Sequence, residues 1–363
     1  MRSQSGAAAV GGPLIVLAAI PSPTWYLSLS PEGTNVRIRE NVSLAPYNTL
    51  GLDVASRYLI DVESTDEVCE ALAFASRGGL TTHILGGGSN VVFSGDYAGV
   101  VIRVVRAGVE VAGDIVTVHA GNSWHGFVMA ALELGFSGIE NLAFIPGWAG
   151  AAPVQNIGAY GAELAPMVHE VHVVERQTGK GLSFAAGDCD FKYRGSVFKC
   201  CDDFVITALS LRLARNGVCD TSYAGLDGAL GGEEPTPLNV ARAVGRLRSA
   251  KLPDPALVPN VGSFFKNPVV SSDDAARLQS AWPGLPAFAG VAGEFKLSAA
   301  WLIDRCGLKG TYVGGARVSS RHALVIENAG GATPNDVLAL EEQIAGKVLA
   351  TFGVELQAEP VHI

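Results

Sequence analysis

With 363 residues, 48% of them hydrophobic and 17% charged, the chain has the make-up of a soluble globular protein large enough for roughly two or three domains. Its net charge of -9 excludes a global basic field for nucleic acid or an anionic membrane, so an anionic ligand would need local positive charge. The six cysteines show no CxxC or Cys/His ligand spacing, which argues against structural zinc, and reduced cytoplasmic thiols fit a chain of this size better than a disulfide framework.

Met1 to Gly33 is poor in charge, with an apolar run around Leu14 to Ile20 before Pro21-Ser22-Pro23. A signal peptide would carry more than Arg2 in its n-region and a small-x-small cleavage site. The expectation is a disordered extension or a start codon assigned too far upstream, whose removal leaves activity and melting temperature nearly unchanged. The folded chain is predicted to begin near Ser43. Leu50 to Val62 reads as extended. Ser64 or Thr65 caps a helix with Val68, Leu72 and Ala75 on one face, stopped by Gly78-Gly79.

A strand over Thr82 to Leu85 runs into Gly86-Gly87-Gly88-Ser89-Asn90, followed by a second strand at Val91 to Phe93. Such a turn can converge its N–H groups on a phosphate, but it can equally be a tight hairpin. It is neither a Walker loop, lacking Gly-Lys-Ser/Thr, nor a Rossmann fingerprint, lacking a helix directly after it. Val100 to Val105 and Ile115 to His119 are further strands. Ser123 caps a helix from Trp124 to Leu134, ended by Gly135.

The stretch Ile145 to Gly161, IPGWAGAAPVQNIGAYG, is low in bulk and cannot fill a core. Its glycines let main chain approach a ligand closely, and Gln155, Asn156 and Tyr160 add polar tips, so it can wrap something flat and polar such as a dinucleotide. A glycine-rich surface loop is the plain alternative. Strands follow at Val168 to Glu175 and Phe204 to Leu213, completing an α+β pattern. Gly225 to Gly232 reads as a loose connection. Thr236-Pro237 opens a helix with Val240, Ala243, Val244 and Leu247 inward, Ser298 caps a short helix to Cys306, and Thr333-Pro334 opens the last helix. The predicted divisions are 1–42 as an extension, 43–215, 216–355, and 356–363 as a terminal strand. His119, His125, His169 and His172 lack ligand spacing and read as structural; Cys200 and Cys201 read as ordinary thiols.

GGGSN at 86–90, PVQNIGAYG at 153–161, YRGSVFK at 193–199, KLPDP at 251–255, GSFFKNP at 262–268 and the terminal Glu359-Pro360 together resemble the UDP-N-acetylenolpyruvoylglucosamine reductases, in order and spacing from about Ser43 to the end. Tyr193 to Lys199 and Tyr223 resemble the longer variety of that family, whose extra loop closes over the substrate. The resemblance implies a non-covalent FAD in a domain of the vanillyl-alcohol-oxidase (PCMH) type over 43–215 and a smaller α+β substrate domain. It implies reduction of the flavin by NADPH, then reduction of the enolpyruvyl ether of UDP-N-acetylglucosamine to UDP-N-acetylmuramate, in a cytoplasmic protein favoured to be a monomer. The cofactor-binding residues carried over are Gly86, Gly87, Gly88, Ser89, Asn90, Pro153, Gln155, Asn156, Ile157, Gly158, Ala159, Tyr160 and Gly161. The resemblance makes Ser263 the proton donor and Arg194 and Glu359 the groups that polarise the substrate carboxylate; Tyr223, Lys251 and Asn267 match residues that hold the UDP part, Lys266 adds positive charge for the diphosphate, and Tyr193 is a further substrate-binding residue.

The residue types suit that chemistry. Hydride addition to the terminal vinyl carbon leaves charge beside the carboxylate, which an arginine clamp can offset. Glu359 fits an anionic site only if it is protonated or bonded to another donor. Ser263 is a weak acid and needs close placement. A β-branched residue at Gly88 is expected to release flavin while the chain stays folded. Trp148 departs from the family, whose members mostly carry small residues there. A carbohydrate oxidase on the same fold, with histidine-tethered flavin, and a non-catalytic UDP-sugar binder remain as alternatives.

Overall fold

The computed structural model describes residues 36–290 and 293–363, so the expectations for Met1 to Gly33 lie outside the described residues. The first strand, β1 (Ile38–Ser43), places Ile38 opposite Ile60 of β2 (Ala55–Val62), and Val36 and Ile38 are both buried. The boundary expected at 42/43 therefore moves back: Val36 and Ile38 alternate with Arg37 and Arg39, a half-buried strand masked by its charges. Of the stretch expected to be extended from Leu50, Leu50 lies in a turn and residues 51–54 precede β2 without regular structure.

After β2 come α1 (Thr65–Arg77), β3 (Thr82–Ile84), β4 (Val91–Val92) and β5 (Tyr97–Val104). The sheet order is β1-β2-β5-β3, with β2, β5 and β3 parallel. Ser64 caps α1 by accepting from the Glu67 N–H at 3.2 Å, and Val68, Ala71 and Ala75 are buried on the sheet. The glycine turn is not a hairpin. β3 pairs with β5, whereas β4 pairs in parallel with β22 (Val361–His362) at the far end of the chain.

A second body follows: β6 (Val109–Ala112), β7 (Ile115–His119), α2 (Trp124–Glu133), β8 (Phe136–Ser137), β9 (Gly158–Ala159), β10 (Ala162–Glu163), β11 (Val168–Glu175), β12 (Gly181–Ala185), α3 (Val197–Cys200), β13 (Phe204–Arg212) and β14 (Ala214–Arg215). Its antiparallel sheet runs β12-β11-β13-β7-β6. Val116 and Val118 face the core under α2, and Ser123 caps that helix. On its other side this body shares a core with the first, where Val62 and Val104 meet Ala120, Val174 and Val205.

Gly225–Gly232 is not a loose connection. It holds α4 (Leu226–Leu230), because Leu226 and Leu230 bury themselves on Val240, Ala243 and Val244 of α5 (Pro237–Lys251). α5 in turn sends Ala241 into the core under α2, and a Cβ on Gly245 would lie 2.6 Å from the Phe144 ring. The boundary expected at 215/216 thus falls after Lys251, since α5 packs on the second body.

The remainder builds a further core, which also takes in Leu50, Leu52 and Val92 of the first body. It comprises β15 (Asn260–Ser263), β16 (Val269–Ser271), α6 (Ser272–Ala281), β17 (Ala287–Ala289), β18 (Glu294–Leu297), α7 (Ala299–Arg305), β19 (Tyr312–Val313), β20 (Ala316–Val318), β21 (Val325–Asn328) and α8 (Pro334–Phe352). β15-β21-β20-β19 form one antiparallel sheet and β16-β18-β17 another. Thr333 and Asp336 make a capping box at the start of α8.

The terminal strand is latched to α8 by His362, whose Nε2 lies 2.8 Å from a Glu341 carboxylate oxygen. That bond raises the His362 pKa above its ordinary value. A raised folded-state pKa contributes stability in acid, fully present below the unfolded value near 6.5 and lost as pH rises through the folded one. His362→Gln is therefore expected to cost at most about 1 kcal/mol at pH 6, solvent screening being strong for so exposed a pair, and nothing at pH 9. Urea unfolding at the two pH values checks this; an equal loss at both would assign the effect to packing.

Candidate active site

The backbone N–H groups of Gly86, Gly87, Gly88, Ser89 and Asn90 donate to no acceptor among the described residues. Half-buried N–H groups left open in one turn form a concave donor surface, which suits a diphosphate. The glycines are there because backbone crowds them. A Cβ on Gly87 would stand 2.9 Å from Gly147 Cα, and one on Gly88, where φ is +63, only 1.9 Å from the Tyr47 carbonyl oxygen. This changes the expectation for Gly88: a β-branched residue would collide with main chain at Tyr47–Asn48 and damage the local fold as well as the turn. Ser89 Oγ donates to the Pro146 carbonyl at 3.0 Å, tying the turn to the glycine-rich stretch.

That stretch splits in three. Gln155 reaches the turn: its Oε1 accepts from Asn90 Nδ2 at 2.8 Å and from Lys199 Nζ at 3.3 Å. Asn156 turns inward instead, holding Glu163, the Lys192 carbonyl and the Ala165 N–H, and Ile157 packs on the core under α2, so neither side chain faces the turn. Pro153 is buried. Tyr160 leans on Tyr223, ring centroids 5.2 Å apart, with Gly161 beside Tyr223 Cβ. Gly158 and Ala159 form β9.

Arg194 sits in left-handed backbone at φ +55, held by an Nη2 bond of 2.8 Å to the Gly158 carbonyl. A Cβ on Gly158 would lie 2.9 Å from the Ala162 carbonyl oxygen and 3.1 Å from Arg194 Nη1, and the backbone contact explains the glycine. Arg194 Nε lies 2.8 Å from Glu359 Oε1, and both side chains are largely covered. The contact is an ion pair and not a directed hydrogen bond, because the buried Nε–H has no acceptor in line. Glu359 is thus charge-paired with Arg194. The Glu359 N–H donates to the Phe264 carbonyl at 2.8 Å, and its carbonyl accepts from Asn90 Nδ2 at 3.3 Å. The terminal segment therefore joins the glycine turn to the strand that ends in Ser263, whose hydroxyl makes no hydrogen bond among the described residues.

Positive charge gathers here despite the net charge. Burial and the neighbouring Lys266 push the Lys199 pKa down. Lys296 Nζ lies 3.8 Å from the centre of the Tyr193 ring, and Arg194 stacks on the same ring at 5.3 Å. Burial raises the Tyr193 pKa. Asn267 spends Oδ1 on the Ala299 N–H at 3.0 Å. Lys251 stands over Tyr223 at 5.8 Å. Nearby His322 has its pKa lowered by burial and by Lys251. The charge of half-buried Arg248 acts on Tyr160 and His125. Sequence reasoning misses Lys199, Lys296, Arg248 and His322 as site residues; Lys199 lies within a singled-out motif, and Arg248 is one helical turn before Lys251.

Of the four histidines expected to be structural, His119, His125 and His172 have side-chain or backbone partners. His172 bridges Ser183 and Ser210, His119 lies 3.2 Å from Glu110, and His125 accepts from the Phe144 N–H. His119 and His172 line a cavity of about 260 Å³ with Glu63 and Arg106, and no predicted site residue lines it. Among the described residues no helix is long and apolar enough to cross a membrane.

Residues 56–184 match the FAD binding domain family, and residues 254–363 match the UDP-N-acetylenolpyruvoylglucosamine reductase, C-terminal domain. The chain is 41% identical to the UDP-N-acetylenolpyruvoylglucosamine reductase of Pseudomonas syringae pv. tomato, covering 90% of this chain and 98% of the relative. Identity to the Chromobacterium violaceum reductase is 42%, over 90% and 99%. The crystal structure of the Thermus caldophilus reductase aligns with a TM-score of 0.65 at 26% identity, covering 90% of this chain and 99% of that one. The chain carries an FAD-binding domain of the expected type and an α+β fold, and it belongs to the UDP-N-acetylenolpyruvoylglucosamine reductase family.

Proposed function

We propose that the protein is an NADPH-dependent flavoenzyme that reduces the enolpyruvyl ether of UDP-N-acetylglucosamine to UDP-N-acetylmuramate for peptidoglycan precursor synthesis. The observation that carries this reading is the Arg194–Glu359 pair, bonded through Glu359 to both the Ser263 strand and the glycine turn. FAD, when bound, would supply hydride chemistry toward the terminal vinyl carbon, with NADPH as the reductant. Gly86–Asn90 hold its diphosphate through the open N–H groups, and Gln155 and Gly158 line its approach. Arg194 binds the substrate carboxylate, held in place by its Nη2 bond to the Gly158 carbonyl, and Glu359 balances its charge. Ser263 gives its proton to the carbon beside the carboxylate. Lys199, Lys251 and Lys266 offset the UDP charge, with Tyr193, Tyr223 and Asn267 shaping that side of the cleft. The cytoplasm, where thiols stay reduced, and a monomeric state complete the reading.

Anaerobic addition of NADPH to the purified protein should bleach the flavin absorbance, and the enolpyruvyl substrate should restore it. Bleaching without restoration by that substrate, or flavin that stays attached on denaturation, would favour an oxidase. No bleaching at all would favour a non-catalytic binder. Either result overturns the reading.

A further inference from the structure

Trp148 stands at the junction of the first two bodies. Its backbone is extended, and its ring lies 4.7 Å from the guanidinium carbon of Arg103 on β5. The same guanidinium lies 4.5 Å from the centre of the Tyr47 ring. Tyr47 and Arg103 belong to the first body, whereas Trp148 belongs to the glycine-rich stretch of the second. Arg103 is charge-paired on one side. Asp61 lies 3.5 Å from it and is itself paired with Arg39 at 2.6 Å, and Arg39 donates to the Tyr47 hydroxyl at 2.9 Å. Next to the stack is the glycine turn, where a Cβ on Gly87 would meet Trp148 Cδ1 at 3.1 Å.

We propose that the Tyr47–Arg103–Trp148 stack is an affinity determinant for FAD, locking residues 146–151 against the glycine turn so that the open N–H groups are aimed before the cofactor arrives. The inference rests on the reading that the FAD diphosphate lies on that turn. A guanidinium is planar and weakly hydrated, so it holds between two aromatic faces where an ammonium does not. Preorganising a binding loop raises affinity by removing an ordering cost otherwise met on binding. None of the three residues acts on the reacting atoms; they are positioning residues.

The test is an FAD titration of the full-length, flavin-stripped protein, read by quenching of flavin fluorescence, beside the melting temperature of the same flavin-free samples. Trp148→Ala is expected to raise the FAD Kd by about ten- to a hundredfold, and Trp148→Phe to restore it to within about threefold of wild type. Arg103→Lys keeps the charge beside Asp61 but has no plane to stack, and is expected to lose as much affinity as Arg103→Met. An unchanged Kd in Trp148→Ala, or an Arg103→Lys protein that binds FAD as tightly as wild type, overturns the proposal. So does a fall in melting temperature with Kd unmoved, which marks the stack as plain packing. A wild-type protein that binds no FAD would instead overturn the reading beneath it.

Discussion

Ser263→Ala is expected to leave reduction of the flavin by NADPH within about twofold of wild type while slowing its reoxidation by the enolpyruvyl substrate by about a hundred- to ten-thousandfold. The first half-reaction needs no proton on the substrate carbon, and the second does. Ser263 ends β15, directly before Phe264, whose carbonyl holds the Glu359 N–H at 2.8 Å. The hydroxyl is therefore carried by the same piece of main chain that fixes the Arg194–Glu359 pair, and its placement is rigid. A weak acid in a fixed place contributes through position, so substrate affinity should change little. Ser263→Cys should recover part of the loss, a thiol being the stronger acid on a larger atom. Stopped-flow absorbance reads both halves. Equal slowing of the two would assign Ser263 to positioning the flavin and return the proton to another acid.

Arg194→Lys is expected to lower kcat/KM for the enolpyruvyl substrate by about a hundredfold or more, although the charge is kept. The native guanidinium serves several partners at once: Nη2 bonds the Gly158 carbonyl, Nε faces Glu359, and the plane rests on Tyr193. An ammonium cannot hold these and clamp a carboxylate, and removing each charge-assisted hydrogen bond costs about 1.5–3 kcal/mol. Glu359→Gln keeps the shape and removes the counter-charge, so its loss should be smaller, about tenfold. If Glu359 acts through Arg194, the double variant should be no worse than Arg194→Lys alone. Fully multiplicative losses would give Glu359 a separate role, and an Arg194→Lys enzyme with wild-type kcat/KM would remove Arg194 from the carboxylate.

What can be read from the chain is what is local. Ser123 before Trp124, Thr236-Pro237 and Thr333-Pro334 mark helix starts that the structure keeps, because a cap is a bond between residues two or three apart. The glycine turn is ambiguous in sequence because its meaning depends on a partner strand at Val361, and no local pattern distinguishes that from a hairpin. β1 escapes a sequence reading because charged Arg39 and Glu40 interrupt its apolar pattern, leaving Ile38 as its one buried residue. α4 escapes it because it is glycine-flanked and helical only through burial of Leu226 and Leu230 on α5. The site cations divide in the same way. Arg194 is legible because it lies in a motif, whereas Lys296 reaches Tyr193 only through a strand register that places it between Val269 and Phe288.

The pairing of β4 with β22 also sets an order of events during synthesis. Asn90 and Glu359, which bond across the cleft, are 269 residues apart in the chain. At about 5–20 residues per second, a ribosome needs roughly 15 to 50 s to deliver the second after the first. For that interval the nascent chain displays a turn of open N–H groups with no neighbour on one side. If the turn holds the FAD diphosphate as proposed, a chain that stops short of Val361 is expected to bind flavin more weakly than the full-length protein.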